Sequence, residues 1–324
     1  MGNARARPVD RRRSSPRPTR PPLFGTDDRA LSAQPVVINT TDKKTWDGMI
    51  YRPQHPTGGR RRVAVLVVHG SVGNYVSGLP RRLSFGIASA GFTVLAINTR
   101  MANYGVFFGG GLLHRTPLDL DASMALLGRL GFRQVVLLGF SMGATIATHY
   151  QALRRPQHVV GLATVAHPAS LPGATRRRWQ QFNSWPTYED VALRARVALR
   201  PDPERSANDR IVVVRRASGP SDRPRDAEIW TLKTFWFARG PEAYHAVSRL
   251  RVGQVTVPMA IIQAGADELV PSTEGPELAA IAERGGCPSV WLEEIDGANH
   301  VFGGYEEPVA DSLVAWIDRL RKSL

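Results

Sequence analysis

Short, almost wholly apolar runs alternate with longer stretches of helical spacing along most of the chain. The apolar runs cover residues 63–68, 93–97, 134–138, 159–165, 259–263 and 290–293. The stretches with helical spacing cover residues 82–90, 118–130, 144–153, 274–284 and 308–320. An apolar run without polar alternation is typical of a strand buried on both faces. Alternating strands and helices indicate a mainly parallel sheet with helices on both faces, so the pattern predicts an α/β fold.

Two regions depart from this alternation. Residues 36–41 and 46–51 predict two short strands that form a hairpin across a polar turn. Between residues 168 and 256 the alternation stops, and the chain becomes rich in Arg and Trp, with one β-like run at 211–215. Because connections in compact domains are usually short, we predict that residues 168–256 form a cap or lid inserted into the sheet. The alternative is a second small domain with no part in the chemistry.

The positive charge is unevenly distributed. The 324 residues include 42 Lys and Arg against 28 Asp and Glu, a formal net charge of +14. Residues 1–34 hold +5 in a Pro-, Ser- and Arg-rich segment that predicts a disordered tail. Residues 168–256 hold +7, which leaves +2 for the predicted core, residues 35–167 and 257–324. Since a nucleic-acid binder places its charge on an ordered face interleaved with aromatic residues, we do not expect nucleic acid as the partner.

Cysteine content and apolar run length bear on the compartment. The single cysteine, Cys287, excludes an intrachain disulfide framework and a zinc site built on cysteine pairs, and favours a reducing compartment. Charged residues interrupt every apolar run well short of 18 residues, so no membrane-spanning helix is predicted. The arginines at 11–13 are not followed by an apolar segment, so no export signal is predicted. We expect a cytoplasmic protein, and the preference for Arg over Lys is typical of a GC-rich, bacterial genome.

Residues 139–143 read Gly-Phe-Ser-Met-Gly and have the pattern G-x-S-x-G. The segment follows the apolar run 134–138 and precedes the helical stretch 144–153. Glycines at these positions permit a tight strand-to-helix turn that lifts the serine hydroxyl out of the sheet. The motif alone is a weak signal, and its strand–turn–helix context makes it specific. We therefore predict Ser141 as a nucleophile.

A serine nucleophile needs a general base, and the base needs a partner that fixes its tautomer. Among eight histidines, His300 lies in a polar loop after the last predicted strand, and Asp267 follows the run 259–263. The chain order Ser, Asp, His is the one expected for a serine hydrolase on a parallel α/β sheet. We predict His300 as general base and then acid, and Asp267 as the orienting carboxylate. Glu268 and Asp296 remain alternatives for the carboxylate, and a capping role remains the alternative for Asp267.

Acyl transfer also requires donors for the oxyanion, which backbone amides supply without reorganisation. The run 63–68 leads into a turn at the carboxyl end of a predicted strand, where ligands collect in such sheets. We predict the amides of Ser71 and Met142 as the donors, with Val72 as a substitute. His69 is expected to stabilise this turn by hydrogen bonds rather than to act in catalysis.

Two further features have open interpretations. His167 follows another predicted strand and either lines the cavity or is an ordinary loop histidine. The glycines at 109–111 lack the Lys-Ser/Thr that follows a phosphate-binding loop, so we expect a flexible loop near the pocket.

Together these motifs resemble the α/β-hydrolase superfamily over about residues 36–324. The matching segments are His69-Gly70, residues 139–143, residues 265–267 and Asn299-His300. The segment around Ser141 and the position of Asp267 are similar to the dienelactone-hydrolase-like and serine-aminopeptidase-like branches. The resemblance implies about eight strands, a cap inserted between the sixth and seventh, and no metal or organic cofactor. Serine at 141 argues against epoxide hydrolases and dehalogenases, which use aspartate, and against true dienelactone hydrolases, which use cysteine.

The expected activity is cleavage of a carboxylic ester or thioester of a small organic molecule through an acyl-enzyme on Ser141. The cap is expected to form an apolar roof with four tryptophans, Trp179, Trp185, Trp230 and Trp236. One alternative is an acyltransferase, thioesterase or cyclase in small-molecule biosynthesis, for which the charge of residues 168–256 could dock an acidic carrier protein or coenzyme A. Another is a non-catalytic binding protein on the same fold. The substrate and the oligomeric state do not follow from the sequence.

Overall fold

The computed structural model describes residues 31–54, 58–71, 73–103, 111–216 and 227–323. Its strands are β1 (Leu31–Asn39), β2 (Thr45–Pro53), β3 (Val63–Val68), β4 (Thr93–Ile97), β5 (Gln134–Phe140), β6 (Val159–Val165), β7 (Ile211–Arg215), β8 (Ala227–Thr231), β9 (Met259–Ala264) and β10 (Val290–Ile295). Its helices are α1 (Gly78–Ser89), α2 (Thr116–Arg129), α3 (Met142–Arg154), α4 (Leu171–Gln181), α5 (Tyr188–Ala198), α6 (Leu232–Ala238), α7 (Glu274–Arg284) and α8 (Glu306–Lys322).

Eight strands form one mostly parallel sheet in the order β1-β2-β4-β3-β5-β6-β9-β10. β1 pairs antiparallel with β2, and β2 pairs antiparallel with β4. Every other neighbouring pair in this sheet is parallel. The α/β fold predicted from the alternation and the sheet of about eight strands implied by the family resemblance are therefore confirmed.

The central strands β3, β4 and β9 are buried on both faces, as their continuous apolar runs predict. The run 290–293 differs from the prediction, because no residue of the edge strand β10 is buried. Successive residues of β3 alternate between two apolar clusters: Leu66 lies in a cluster with residues of α2, α3 and α7, and Val65 lies in a cluster with residues of α1 and α8. All six residues of β3 are buried. Because strands covered on both sides are mostly apolar, polar groups that are to reach a ligand lie mainly beyond the strand ends. The carboxyl ends of β3, β5, β6, β9 and β10 meet at one edge of the sheet.

The chain between β6 and β9 forms an insertion, which contains α4, α5, the β7–β8 hairpin and α6. It has an apolar cluster of its own, built from residues such as Tyr188, Val191 and Phe235. Only the run 211–215 was expected to be regular here, so the three helices and β8 are additions to the sequence prediction. We call this region, residues 168–256, the insertion.

The prediction that four tryptophans form an apolar roof does not hold for Trp185. Trp185 has 67% of its surface exposed to solvent and is tied to Arg215 through the backbone. Trp179, Trp230 and Trp236 are buried within the apolar cluster of the insertion. The ring of Trp179 packs on the rings of Tyr188 and Phe235, and as members of one apolar cluster the three tryptophans stabilise the insertion itself.

The predicted boundaries shift at the ends of several elements. β1 begins at Leu31, so residues 31–34 belong to a strand and not to the predicted tail, and the rest of that tail lies outside the described residues. Helix α3 begins at Met142, directly after Ser141, and not at residue 144. Among the helices described, none is both long enough and apolar enough to cross a membrane.

Candidate active site

Ser141 lies on a strained turn between β5 and α3. Its φ is 53° and its ψ is −117°, a conformation that residues other than glycine rarely adopt. A Cβ atom on Gly139 would lie 2.3 Å from the carbonyl oxygen of Gly143, and one on Gly143 would lie 2.3 Å from that of Val68. Neither position has room for a side chain. The turn therefore requires the glycines of the motif, and it presents the Ser141 side chain at the carboxyl edge of the sheet.

The structure brings three of the predicted residues together. The Nε2 atom of His300 lies 3.0 Å from Ser141 Oγ. On the other side of the ring, Nδ1 of His300 lies 3.0 and 2.9 Å from the two carboxylate oxygens of Asp267. Ser141 and His300 are 159 positions apart in the chain and meet because the loops after β5, β9 and β10 leave the same edge of the sheet.

The Asp267 carboxylate is held in place by the backbone. Its Oδ1 atom accepts hydrogen bonds of 2.8 Å from the amides of Leu269 and Val270, and its side chain is 1% exposed. The alternative acid Glu268 accepts a hydrogen bond from the backbone amide of His300, not from its ring. The other alternative, Asp296, lies beside Gly265 in the turn after β10. Of the three carboxylates, Asp267 is the one that is hydrogen-bonded to the imidazole.

Both predicted oxyanion residues lie next to Ser141. A Cβ atom on Gly70 would lie 3.3 Å from the Cβ of Ser141, so the turn that contains Ser71 packs directly on the nucleophile turn. Met142 is the first residue of α3, where helix amides have no partner within the helix. The positive end of the helix dipole adds to the attraction for negative charge there. Val72, the substitute donor, lies outside the described residues.

Sequence reasoning missed one residue at this edge, Arg239. It follows α6 in the insertion and is 4% exposed. Its guanidinium donates a hydrogen bond to Ser71 Oγ and lies 5.7 Å from the ring centroid of Trp230. No strand end or motif marks this arginine among the 42 basic residues of the chain, so only the packing of the insertion reveals it.

His69 and His167 are both buried beside this edge. His69 Nδ1 lies 2.8 Å from the carbonyl oxygen of Gly70, and its Nε2 accepts from the amide of Thr99 at 3.2 Å. These contacts agree with a role in stabilising the turn. Burial lowers the pKa of His69 to about 4 and that of His167 to about 3, so both imidazoles are neutral near pH 7. Both ring nitrogens of His167 are buried without a hydrogen-bond partner in the described structure.

A pair of histidines joins α3 to the insertion. The ring centroids of His149 and His245 lie 6.0 Å apart. The pKa of each is lowered to about 4, mainly by burial and in smaller part by charge repulsion from Arg251. Across the described ranges, no three His, Cys, Asp or Glu side chains are grouped so that they could hold a metal ion.

The single cysteine lies away from this edge. Cys287 precedes β10, at the amino-terminal edge of the parallel strands, and its Sγ lies 3.1 Å from the carbonyl oxygen of Val257. Burial raises the pKa of its thiol, which disfavours the nucleophilic thiolate. Of the glycine run at 109–111, Gly109 and Gly110 lie outside the described residues.

Comparison with known proteins agrees with this geometry. Residues 63–306 match the alpha/beta hydrolase fold family, which is more than half of the chain. The chain therefore belongs to the alpha/beta hydrolase family. A comparison of the sequence with curated proteins gives no match.

Solved structures share the fold at low sequence identity. Est1E from Butyrivibrio proteoclasticus has a TM-score of 0.60 and 13% identity, over 89% of this chain and 99% of its own. An esterase of Pyrococcus furiosus has a TM-score of 0.60 and 16% identity, over 93% of this chain and 94% of its own. The esterase domain of a Rhodothermus marinus protein has a TM-score of 0.57 and 16% identity, over 89% of this chain and 98% of its own.

Proposed function

We propose that this protein is a serine hydrolase that cleaves a carboxylic ester of a small organic molecule through an acyl-enzyme on Ser141. The observation that carries the proposal is the contact chain from the Asp267 carboxylate through His300 to Ser141 Oγ, with Nε2–Oγ at 3.0 Å. Esters are the favoured substrate class because several structures with this fold are named esterases. Membership of the family is compatible with acyl transfer but does not by itself define the substrate.

The hydrogen bonds support a definite first half-reaction. Asp267 accepts a hydrogen bond from Nδ1–H of His300 and so fixes the tautomer in which the Nε2 lone pair faces the hydroxyl of Ser141. As Oγ attacks the ester carbonyl carbon, His300 takes the hydroxyl proton and the carbonyl oxygen becomes an oxyanion. The amides of Ser71 and Met142 stabilise this oxyanion. The C–O bond to the alcohol then breaks, and His300 gives its proton to the departing alcohol.

Deacylation repeats the same steps with water as the nucleophile. His300 removes a proton from water as the water oxygen attacks the acyl carbon on Ser141. The second tetrahedral intermediate collapses, Oγ departs with the proton held by His300, and the carboxylic acid is released. The insertion lies over this edge, since Arg239 reaches Ser71, and it excludes bulk water from the acyl-enzyme.

The test is labelling with a fluorophosphonate, which reacts with an activated serine whatever the substrate. We expect the wild type to be labelled, and Ser141→Ala to lose both labelling and hydrolysis of p-nitrophenyl esters. The matched control is Ser123→Ala, because Ser123 is buried in α2 and donates to the carbonyl of Asp119 in the same helix, not to a residue of the motif. This control should be labelled like the wild type.

Labelling that survives Ser141→Ala would contradict the assignment of the nucleophile. An unlabelled wild type that binds p-nitrophenyl esters without turnover would favour a binding protein on the same fold. A series of esters of increasing acyl length, together with one matched thioester, would then define which acyl group the site accepts and whether sulfur is preferred as the leaving atom.

A further inference from the structure

The geometry points to Arg239 as a positioning residue for the oxyanion turn: the insertion completes the active site by holding Ser71 with a buried guanidinium. This inference rests on the proposed function, because it assigns Arg239 a task within that reaction. In this arrangement the insertion helps to position the oxyanion turn, in addition to covering the site.

Arg239 is built into the insertion through its main chain. Its amide donates a hydrogen bond of 2.7 Å to the carbonyl of Phe235, and its carbonyl accepts one of 2.7 Å from the hydroxyl of Tyr188. Phe235 and Tyr188 belong to the apolar cluster of the insertion, and their rings meet edge to face with centroids 5.5 Å apart. The residue therefore has little freedom to change position.

The side chain is as constrained as the main chain. The guanidinium carbon lies 5.7 Å from the ring centroid of Trp230, within the range of a cation–π contact. Trp230 is in turn fixed by a hydrogen bond of 3.2 Å from its Nε1 to Glu228. The planar guanidinium can present its donors in only one plane, so this contact orients the group that donates to Ser71 Oγ.

The hydroxyl that Arg239 holds belongs to the same residue as the predicted oxyanion amide. Ser71 follows Gly70, and the space around Gly70 is filled by the ring of Phe140, 2.9 Å from where a Cβ would lie, and by Ser141. One side of the turn is therefore set by close packing and the other by Arg239. A shift of the Ser71 amide by a fraction of an ångström changes its bond to the oxyanion, which forms only in the transition state.

The positive charge of Arg239 acts in the same direction. A guanidinium that is 4% exposed is poorly screened by solvent, so its field at Ser71 favours the negative charge that develops on the carbonyl oxygen. Both effects apply to the transition state and not to the neutral ester. They predict that loss of Arg239 lowers kcat and leaves KM nearly unchanged.

The experiment compares Arg239→Met, Arg239→Lys, Ser71→Ala and the double variant Arg239→Met with Ser71→Ala in the full chain. The readouts are kcat and KM for a p-nitrophenyl ester, the rate of fluorophosphonate labelling, and the inhibition constant of phenylboronic acid, which forms a tetrahedral adduct on an active serine. Arg249→Met is the matched control, since Arg249 is an insertion arginine that lies 3.4 Å from Glu277 of α7 and not in the contacts through Glu228 and Trp230 that orient Arg239.

We expect Arg239→Met to lower kcat and the labelling rate roughly 10- to 100-fold and to weaken phenylboronic acid in proportion, with KM unchanged. Arg239→Lys should recover part of this loss because it keeps the charge without the planar fork. The double variant should be no slower than the slower single variant, because both substitutions break one contact. Arg249→Met should leave both the melting temperature and the labelling rate nearly unchanged, because its ion pair with Glu277 is exposed to solvent.

Two results would overturn the inference. One is an Arg239→Met variant that is labelled at the wild-type rate. The other is a variant whose KM rises while the labelling rate holds, which would make Arg239 a substrate-binding group. A wild type that is not labelled at all contradicts the proposed function instead, so the two failures are distinguishable.

Discussion

The hydrolase core and the insertion differ in how far their strands are buried. In β3 of the core every residue is buried, whereas β7 of the insertion alternates exposed and buried residues. The outer face of the β7–β8 hairpin leaves Ile211, Val213 and Ile229 exposed to solvent. In the core, helices thus cover both faces of the central strands. In the insertion, only one face of the β7–β8 hairpin is covered.

The two regions also differ in how they use charge. In the insertion, Glu228 is nearly buried and accepts hydrogen bonds from Arg178 and from the indole nitrogens of Trp179 and Trp230. In the proposed active site of the core, the Asp267 carboxylate instead contacts the ring of His300. The core thus holds the proposed reacting groups, whereas the insertion is stabilised by buried polar contacts and reaches the proposed site through Arg239.

The largest effect, on kcat, is expected in the proposed active site of the core. Asp267→Asn keeps the shape of the side chain but can donate to His300 Nδ1 and so stabilise the wrong tautomer. We expect kcat to fall about 10⁴-fold with little loss of stability. Glu268→Gln is the matched control, because that carboxylate touches only the backbone amide of His300 and a glutamine oxygen still accepts the bond. Equal losses in the two variants would contradict the role of Asp267.

The next effect tests whether the insertion depends on its buried polar contacts. Glu228→Ala leaves Arg178 and two indole donors without their acceptor. We expect the free energy of unfolding to fall by roughly 3 to 5 kcal/mol, as for other broken buried ion pairs. Urea unfolding measures this change, and hydrogen exchange should show α4 to α6 opening before the main sheet.

Trp185→Ser is the control within the same region. Because Trp185 faces solvent and its backbone bonds to Arg215 survive the substitution, stability should change by no more than about 0.5 kcal/mol. A loss of stability as large as that of Glu228→Ala would mean that the Trp185 side chain packs against the insertion. It would contradict the difference expected between the two substitutions.

The smallest effect per residue is on the pH dependence of stability, and it concerns histidines at the contact between the core and the insertion. Burial lowers the pKa of His149 and His245 to about 4, as it does for His69. Above about pH 6.5 these imidazoles are neutral in both the folded and the unfolded chain. Below it the unfolded chain takes up protons first, so stability falls as the pH drops from 6.5 toward 4. Urea unfolding between pH 7.5 and 5 measures this slope.

The variant His149→Gln should make stability depend less on pH, since it removes one of the two imidazoles that meet between α3 and the insertion. Stability that rises as the pH falls from 6.5 to 5 would contradict the expectation. A slope that His149→Gln leaves unchanged would assign the effect to His69, His167 or His245 instead.

Most of the core was predictable because its signals are local. The strand β6 matches its apolar run residue for residue, and α7 matches its helical stretch. Ser141, Asp267 and His300 were identified because each follows a buried strand, and parallel strands bring such positions to one edge. The sequence already favoured Asp267 over Glu268, but the distances that separate the two carboxylates needed the structure, since neighbouring residues in a loop differ only in where their side chains point.

The insertion resisted prediction because its apolar residues are shared between short elements. α6 has seven residues, too few to establish a helical period, although Thr231 caps it by accepting a hydrogen bond from Thr234. The tryptophans could equally have lined a pocket or filled a core. Only the way in which α4, α5 and the hairpin pack on one another decides between these outcomes.

Local order along the chain is therefore enough to define an α/β hydrolase with Ser141 on a glycine-bounded turn, because strand burial and turn sterics act over a few residues. Long-range packing decided the rest. The bond from Arg239 to Ser71 joins residues 168 positions apart, and it exists only because the insertion folds onto its own small core and returns to the edge of the sheet. No spacing in the sequence encodes that return, because it is the sum of many weak contacts between elements distant in the chain.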